Sequence, residues 1–197
     1  MTVQVSGDRW IVVSMILTLI GYRGCGKSSI APLIAASLQC NWVDSDREIE
    51  RIAGKSIAQI FAEQGEGSFR DLESEVLENL CRSAHPMVIA AGGGAILREQ
   101  NRIALKAAGP VVWLTADVAV LAERIQQDSA TDANRPSLTG AGVVQEIQEV
   151  LDARMPRYQD AATYTVSTDG RTVVEICKMV LAAIGSDSNV QLKKEMK

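Results

Sequence analysis

Gly21, Gly24, Gly26, Lys27 and Ser28 stand in the run Gly21-Tyr22-Arg23-Gly24-Cys25-Gly26-Lys27-Ser28, the spacing GxxxxGK[ST]. Glycines so placed let the backbone turn tightly, so that successive N–H groups and the start of a following helix point at phosphate oxygens. The Lys27 ammonium then reaches the β- and γ-phosphates of a nucleotide, and the Ser28 hydroxyl is a hard oxygen ligand for Mg²⁺. The motif carries this meaning only between a buried strand and a helix. Both are legible: an apolar run, 11–20, precedes it and helical spacing over 27–39 follows. Cys25 fills an unconstrained position of the loop. At a helix N-terminus it is a candidate oxidisable thiol that bound nucleotide would protect.

A phosphate loop says only that nucleotide binds; the acceptor has to be found among residues at the carboxyl ends of the strands, where ligands of open α/β sheets collect. Asp44 and Asp46 end a short apolar run, 42–43. Two carboxylates at i and i+2 suit a metal shell and a substrate hydroxyl; alternatively Asp46 caps the next helix and Asp44 is solvated. Gly92, Gly93 and Gly94 follow another apolar run, and a ligand can lie against such bare backbone. Arg70 opens a helix in Phe69-Arg70-Asp71-Leu72-Glu73, Arg135 precedes Pro136, and Arg154 precedes Met155-Pro156-Arg157-Tyr158. Each of these arginines alone has the pattern of a surface charge.

The elements that must position these groups alternate along the chain. Apolar runs at 11–20, 42–43, 87–91, 111–114 and 164–166 mark strands buried on both faces. Helical spacing falls at 27–39, 46–53, 56–64, 68–82, 98–107, 117–127, 143–154 and 172–184. Strand and helix in alternation predict a parallel sheet with right-handed crossovers, hence an α/β fold. The 197 residues fit one domain, 1–197, with an aperiodic, polar stretch at about 128–142 as a lid and a flexible tail at about 186–197. Met15 is a candidate start of a shorter chain, in which case the first nine residues carry little.

Composition narrows the class further. A hydrophobic share of 47% against 22% charged is globular, and 20 basic against 24 acidic residues exclude a broad nucleic-acid surface. Cys40, Cys81, Cys177 and Cys25 are scattered, without a zinc or disulfide pattern, as in a reduced, cytoplasmic protein. The run 11–20 is too short to span a bilayer and follows Asp8 and Arg9, so no membrane partner is expected. His85, beside Pro86, reads as a loop residue without a catalytic role; Trp42 and Trp113 read as core. A monomer is expected.

Taken in order, GYRGCGKSS, VDSD, SIAQIFAEQGEGSFRDLE, AAGGGAIL, NRPSLTG and ARMPRY resemble the shikimate kinase family, over residues 16–184. The resemblance implies a three-layer α/β/α sandwich around a five-stranded parallel sheet of order 2-3-1-4-5, with a mobile lid and a shikimate-binding segment at about 44–82. It implies ATP as co-substrate, Mg²⁺ as cofactor and shikimate as acceptor, phosphorylated on its 3-hydroxyl. Lys27, Asp46 and Arg135 are implied as catalytic, with Asp44 and Ser28 in the metal shell. Arg70 and Arg154 match the holders of the acceptor's carboxylate, Glu73 the residue orienting Arg70, and Phe61 and Phe69 the aromatic walls. Gly92, Gly93 and Gly94 meet the acceptor. Gly21, Arg23, Gly24, Cys25, Gly26, Lys27, Ser28, Ser29, Arg124 and Arg135 surround ATP, with Arg124 stacked on adenine. One modest departure is the long, polar stretch 127–134 ahead of Arg135.

The chemistry agrees with the resemblance, because an anionic polyol needs cationic clamps and a hydroxyl acceptor, and planar guanidinium fits a carboxylate better than ammonium does. A gluconate or nucleoside monophosphate kinase would share the loop but not the AAGGGA segment and the paired arginines. A nucleotide-dependent switch would need NKxD and DxxG, which the sequence lacks. A non-catalytic paralogue would not be expected to keep Lys27, Asp46, Arg70, Arg135 and Arg154 together.

Overall fold

The computed structural model describes residues 2–6, 9–12, 15–128, 142–186 and 191–194. At its centre lies β3 (Ile16–Ile20), whose five residues are all buried. Strands β5 (Met87–Ala90) and β6 (Val111–Thr115) flank it in parallel; β4 (Asn41–Asp44) and β7 (Tyr164–Ser167) complete the sheet outside them. The order β4-β5-β3-β6-β7 is 2-3-1-4-5 within this sheet, as expected.

Alternation of β3 side chains divides the core into two layers, since neighbouring residues of a strand face opposite sides. Leu17 and Leu19 meet Ile30, Ile34 and Ala35 of α1 (Lys27–Leu38), Leu121 of α5 (Val118–Asp128) and Val180 of α7 (Val173–Gly185). Ile16 and Ile20 meet Leu77 of α3 (Ile57–Cys81), Leu105 of α4 (Glu99–Ala108) and Tyr158 of α6 (Val143–Ala161). Full burial of each such aliphatic side chain contributes about 1.5–3 kcal/mol. A smaller apolar cluster, Ile49, Ile57, Ile60, Phe69 and Val76, ties α2 (Ser45–Ala53) to α3. Helix α3 is broken at Gly65, whose φ of 79° leaves the helical region.

Two departures from the sequence expectation bear on the site. Helix α6 does not stop at residue 154 but runs through Pro156 to Ala161. Proline removes one main-chain bond, yet the last turn buries Tyr158 and Ala161 against the sheet, which offsets the local loss. The apolar run 11–20 is not one strand: β2 (Arg9–Val12) separates from β3. The sheet is only as deep as its neighbours. Within it, β3 pairs with β5 from Ile16 opposite Met87 to Leu19 opposite Ala90.

Instead β2 pairs antiparallel with β1 (Thr2–Ser6), and β1 pairs in parallel with β8 (Gln191–Lys194). The segments expected to carry little or to fray thus include strands, in a register that sets Val3 opposite Leu192 and Gln4 opposite Lys193. Among the described residues no helix is long and apolar enough to cross a membrane.

Candidate active site

Beyond Ile20 the chain turns into α1, whose N-cap Gly26 carries no side-chain cap, so no capping side chain competes with an anion at this helix start. Lys27 Nζ lies across this loop and donates to the carbonyl oxygens of Gly21 at 2.8 Å and Tyr22 at 3.0 Å. Cys25, expected among the nucleotide contacts, turns its side chain into the core and is 1% exposed, which closes the thiol to solvent. The Ser28 hydroxyl donates to Asp44 Oδ2 at 2.7 Å. Asp44 Oδ1 accepts from the N–H groups of Asp46 and Arg47, so Asp44 caps α2, and Asp46 does not. Arg124 on α5 donates to the Gly24 carbonyl at 3.3 Å and, by its other contacts, grips Thr168 just beyond β7.

The acceptor end is built around the turn after β5. Gly92 N–H donates to the buried Ser45 hydroxyl at 2.8 Å, and a Cβ at Gly92 would collide with Asp46 Oδ1. The Gly93 carbonyl accepts from Arg154 Nη1 and from the Tyr158 hydroxyl, both at 3.1 Å. These two donors stand at i and i+4 of α6 and therefore share one helix face. A Cβ at Gly94 would clash with the Arg70 guanidinium. The turn also abuts the phosphate loop, since a Cβ at Gly93 would lie 3.9 Å from both Arg23 N and Gly21 O.

Burial sets the charge states here. Glu73 is 1% exposed and accepts from Arg70 Nη1 at 2.8 Å. Removal from water pushes its carboxyl above the ordinary glutamate value, and Arg70 pulls it partly back. Burial likewise pushes the Tyr158 hydroxyl far above the ordinary tyrosine value, which keeps it a donor to Gly93; its ring stacks on Trp113 with centroids 5.3 Å apart. Phe61 and Phe69 lie 4.7 Å apart, centroid to centroid, with Arg70 5.0 Å from the Phe69 ring centre. One cleft of about 1090 Å³ brings these groups together, lined at one end by Lys27, Ser28, Ser29 and Arg124 and at the other by Asp46, Phe61, Arg70 and Arg154. Residues 129–141, and Arg135 with them, lie outside the described residues.

Four contributors were not singled out from the sequence. Ser45 sits between the two aspartates of VDSD, Tyr158 ends the ARMPRY run, Thr168 follows the last strand, and Glu66 lies beside Arg70. All but Thr168 lie inside the motifs that carry the resemblance, where neighbouring residues drew the assignment.

A sheet of this order, with a phosphate-cradling loop at the end of its central strand, defines the class of P-loop kinases. The shikimate kinase family profile matches residues 23–185. A shikimate kinase from Rhodopirellula baltica is 46% identical over 170 residues, spanning 86% of this chain and 90% of that protein. The solved shikimate kinase from Acinetobacter baumannii, in complex with shikimate, superposes with a TM-score of 0.78 at 35% identity, covering 87% of this chain and 93% of that one. That from Aquifex aeolicus gives 0.73 at 30% identity, over 86% and 95% of the two chains. This chain belongs to the shikimate kinase family.

Proposed function

We infer that the chain transfers the γ-phosphoryl group of ATP to the 3-hydroxyl of shikimate, a step in aromatic amino acid synthesis. The observation that carries this reading is the turn Gly92–Gly93–Gly94. Asp46, Arg154 and Arg70 approach its three residues in succession, and its middle residue abuts the phosphate loop. One carboxylate and two guanidinium groups around bare backbone form a complement to an anionic polyol next to a phosphate donor.

In this reading Arg70 and Arg154 hold the acceptor's carboxylate, Glu73 orients Arg70, and Phe61 and Phe69 wall the ring. Asp46 aligns the 3-hydroxyl and takes its proton. Phosphoryl transfer has a loose transition state, so the protein's work is alignment and charge stabilisation, supplied by Lys27, the loop N–H groups and Arg135. Arg124, held to the loop and to Thr168, flanks the adenine.

Ser28 and Asp44 place a hydroxyl and a carboxylate 2.7 Å apart beside the loop, an oxygen set that fits Mg²⁺. Bound there with nucleotide, the ion would neutralise charge on the phosphate oxygens. Among the described residues no group of three or more His, Cys, Asp or Glu is assembled for a metal. That suits an ion held mainly by phosphates and water. We place the reaction in the cytoplasm, with a single chain as the working unit.

The test is ADP release with Mg·ATP in the presence of shikimate, gluconate, a nucleoside monophosphate or no acceptor. Release dependent on shikimate is expected. Release with another acceptor alone would keep the phosphate loop and discard the carboxylate clamp, and no release with any acceptor would leave a nucleotide-binding paralogue.

A further inference from the structure

Arg70 is the cation that the functional reading gives to the acceptor's carboxylate. Its guanidinium offers two planar edges that a carboxylate can grip with paired bonds, Nη1–Nη2 and Nε–Nη2. The fold occupies the first. Nη1 donates to buried Glu73 at 2.8 Å, and both terminal nitrogens lie so close to Gly94 that a Cβ there would come within 2.8 Å of Nη2. The second edge carries Glu66, whose Oε1 accepts from both Nε and Nη2, each at 3.2 Å.

This second pairing is built to come apart. Both bonds converge on one oxygen and are long, whereas a two-oxygen fork on the same edge forms bonds of about 2.7–2.9 Å. The Glu66 side chain is 64% exposed, so it returns to water on release, while Arg70 is only 15% exposed. Gly65, where α3 breaks, and Gly67 flank it, and a Cβ on either would meet nothing within 4 Å. The backbone carrying Glu66 therefore has room to move while Arg70, fastened by Glu73, stays in place.

We propose that Glu66 is a place-holder for the acceptor's carboxylate. It pairs the Nε–Nη2 edge of Arg70 in the empty cleft and is displaced when an acceptor presents two carboxylate oxygens there. An acceptor without a carboxylate leaves Glu66 where it is. The proposal rests on the acceptor being anionic, as the functional reading has it.

Glu66→Gln and Glu66→Ala in the full chain provide the test, by steady-state kinetics beside the unaltered protein. Loss of an exposed competing ion pair should lower KM for shikimate about 1.5- to 5-fold. KM for ATP and kcat should be unchanged, as should the inhibition constant of shikimate methyl ester, which has no carboxylate. A KM for shikimate that is unchanged or raised in both variants overturns the proposal, as does an inhibition constant for the ester that falls in step with KM. Parallel movement of kcat and both KM values would make Glu66 structural and also overturn it. If the unaltered chain fails to turn over shikimate, the functional reading falls and the place-holder falls with it; if it does turn over, only the variant ratios decide.

Discussion

The hydroxyl of Ser28 donates to Asp44 across 2.7 Å, joining the second residue of α1 to the residue that ends β4 and caps α2. One carboxylate thus serves the helix with Oδ1 and faces the phosphate loop with Oδ2. The two duties are separable by substitution.

Asp44→Asn keeps a capping side chain and removes the negative charge, so the Mg²⁺ needed for half-maximal velocity should rise about 10- to 100-fold while the melting temperature holds. Asp44→Ala should show the same Mg²⁺ effect with a further loss of about 1 kcal/mol in stability. A normal Mg²⁺ response in the asparagine variant would remove Asp44 from the metal shell.

Arg154→Lys and Arg70→Lys should each raise KM for shikimate roughly 10- to 100-fold, given about 1.5–3 kcal/mol for hydrogen bonds to a charged partner. KM for ATP should stay put. Arg70→Ala is the poorer probe, because it strands a carboxylate that is 1% exposed. Equal loss of both substrates in the lysine variants would contradict the clamp.

Glu73 makes a pH prediction whose sign follows from its raised pKa. The folded chain holds this proton over a range where the unfolded chain has released it. Stability is therefore highest below the ordinary glutamate value and falls as pH rises through the raised one. Glu73→Gln has no such proton. Its melting temperature relative to the unaltered chain should climb as pH rises above the ordinary glutamate range. Shikimate affinity should fall meanwhile, because Arg70 loses its anchor. A difference in melting temperature that is flat with pH would refute the burial argument.

Thr18 lies in the central strand at 1% exposure, and its hydroxyl has no hydrogen-bond partner among the described residues. Thr18→Val keeps the shape and removes the stranded group. A gain of about 1 kcal/mol is expected, which for a chain of this size is a rise of about 2–4 °C in melting temperature. A fall would show that the hydroxyl is satisfied by water.

Features that depend on local rules were legible in the sequence. The phosphate loop, the glycine turn and the buried strands follow from spacing and hydrophobic runs, and the sheet adopts the order that the family resemblance implies. What escaped was set by distant partners. Pro156 signals a helix end, but the burial of Tyr158 against the sheet carries α6 past it, and this second donor to Gly93 was missed as a result. Asp44 and Asp46 are alike in spacing, and only the placement of Ser28 and Gly92 separates cap from cleft. Arg70 and Arg154 look like solvent charges until α3 and α6 bring them to the same turn.

Glycine turns are commonly among the softest parts of a protein, opening and closing without disturbing their surroundings. The one after β5 is fastened at Gly92 by Ser45 of α2 and at Gly93 by two side chains of α6, with Arg70 of α3 lying against Gly94. The turn cannot open without loosening its ties to three helices. The Gly92 amide should therefore exchange with solvent on the slow timescale of the core strands, and the acceptor's resting place inherits the rigidity of the whole domain.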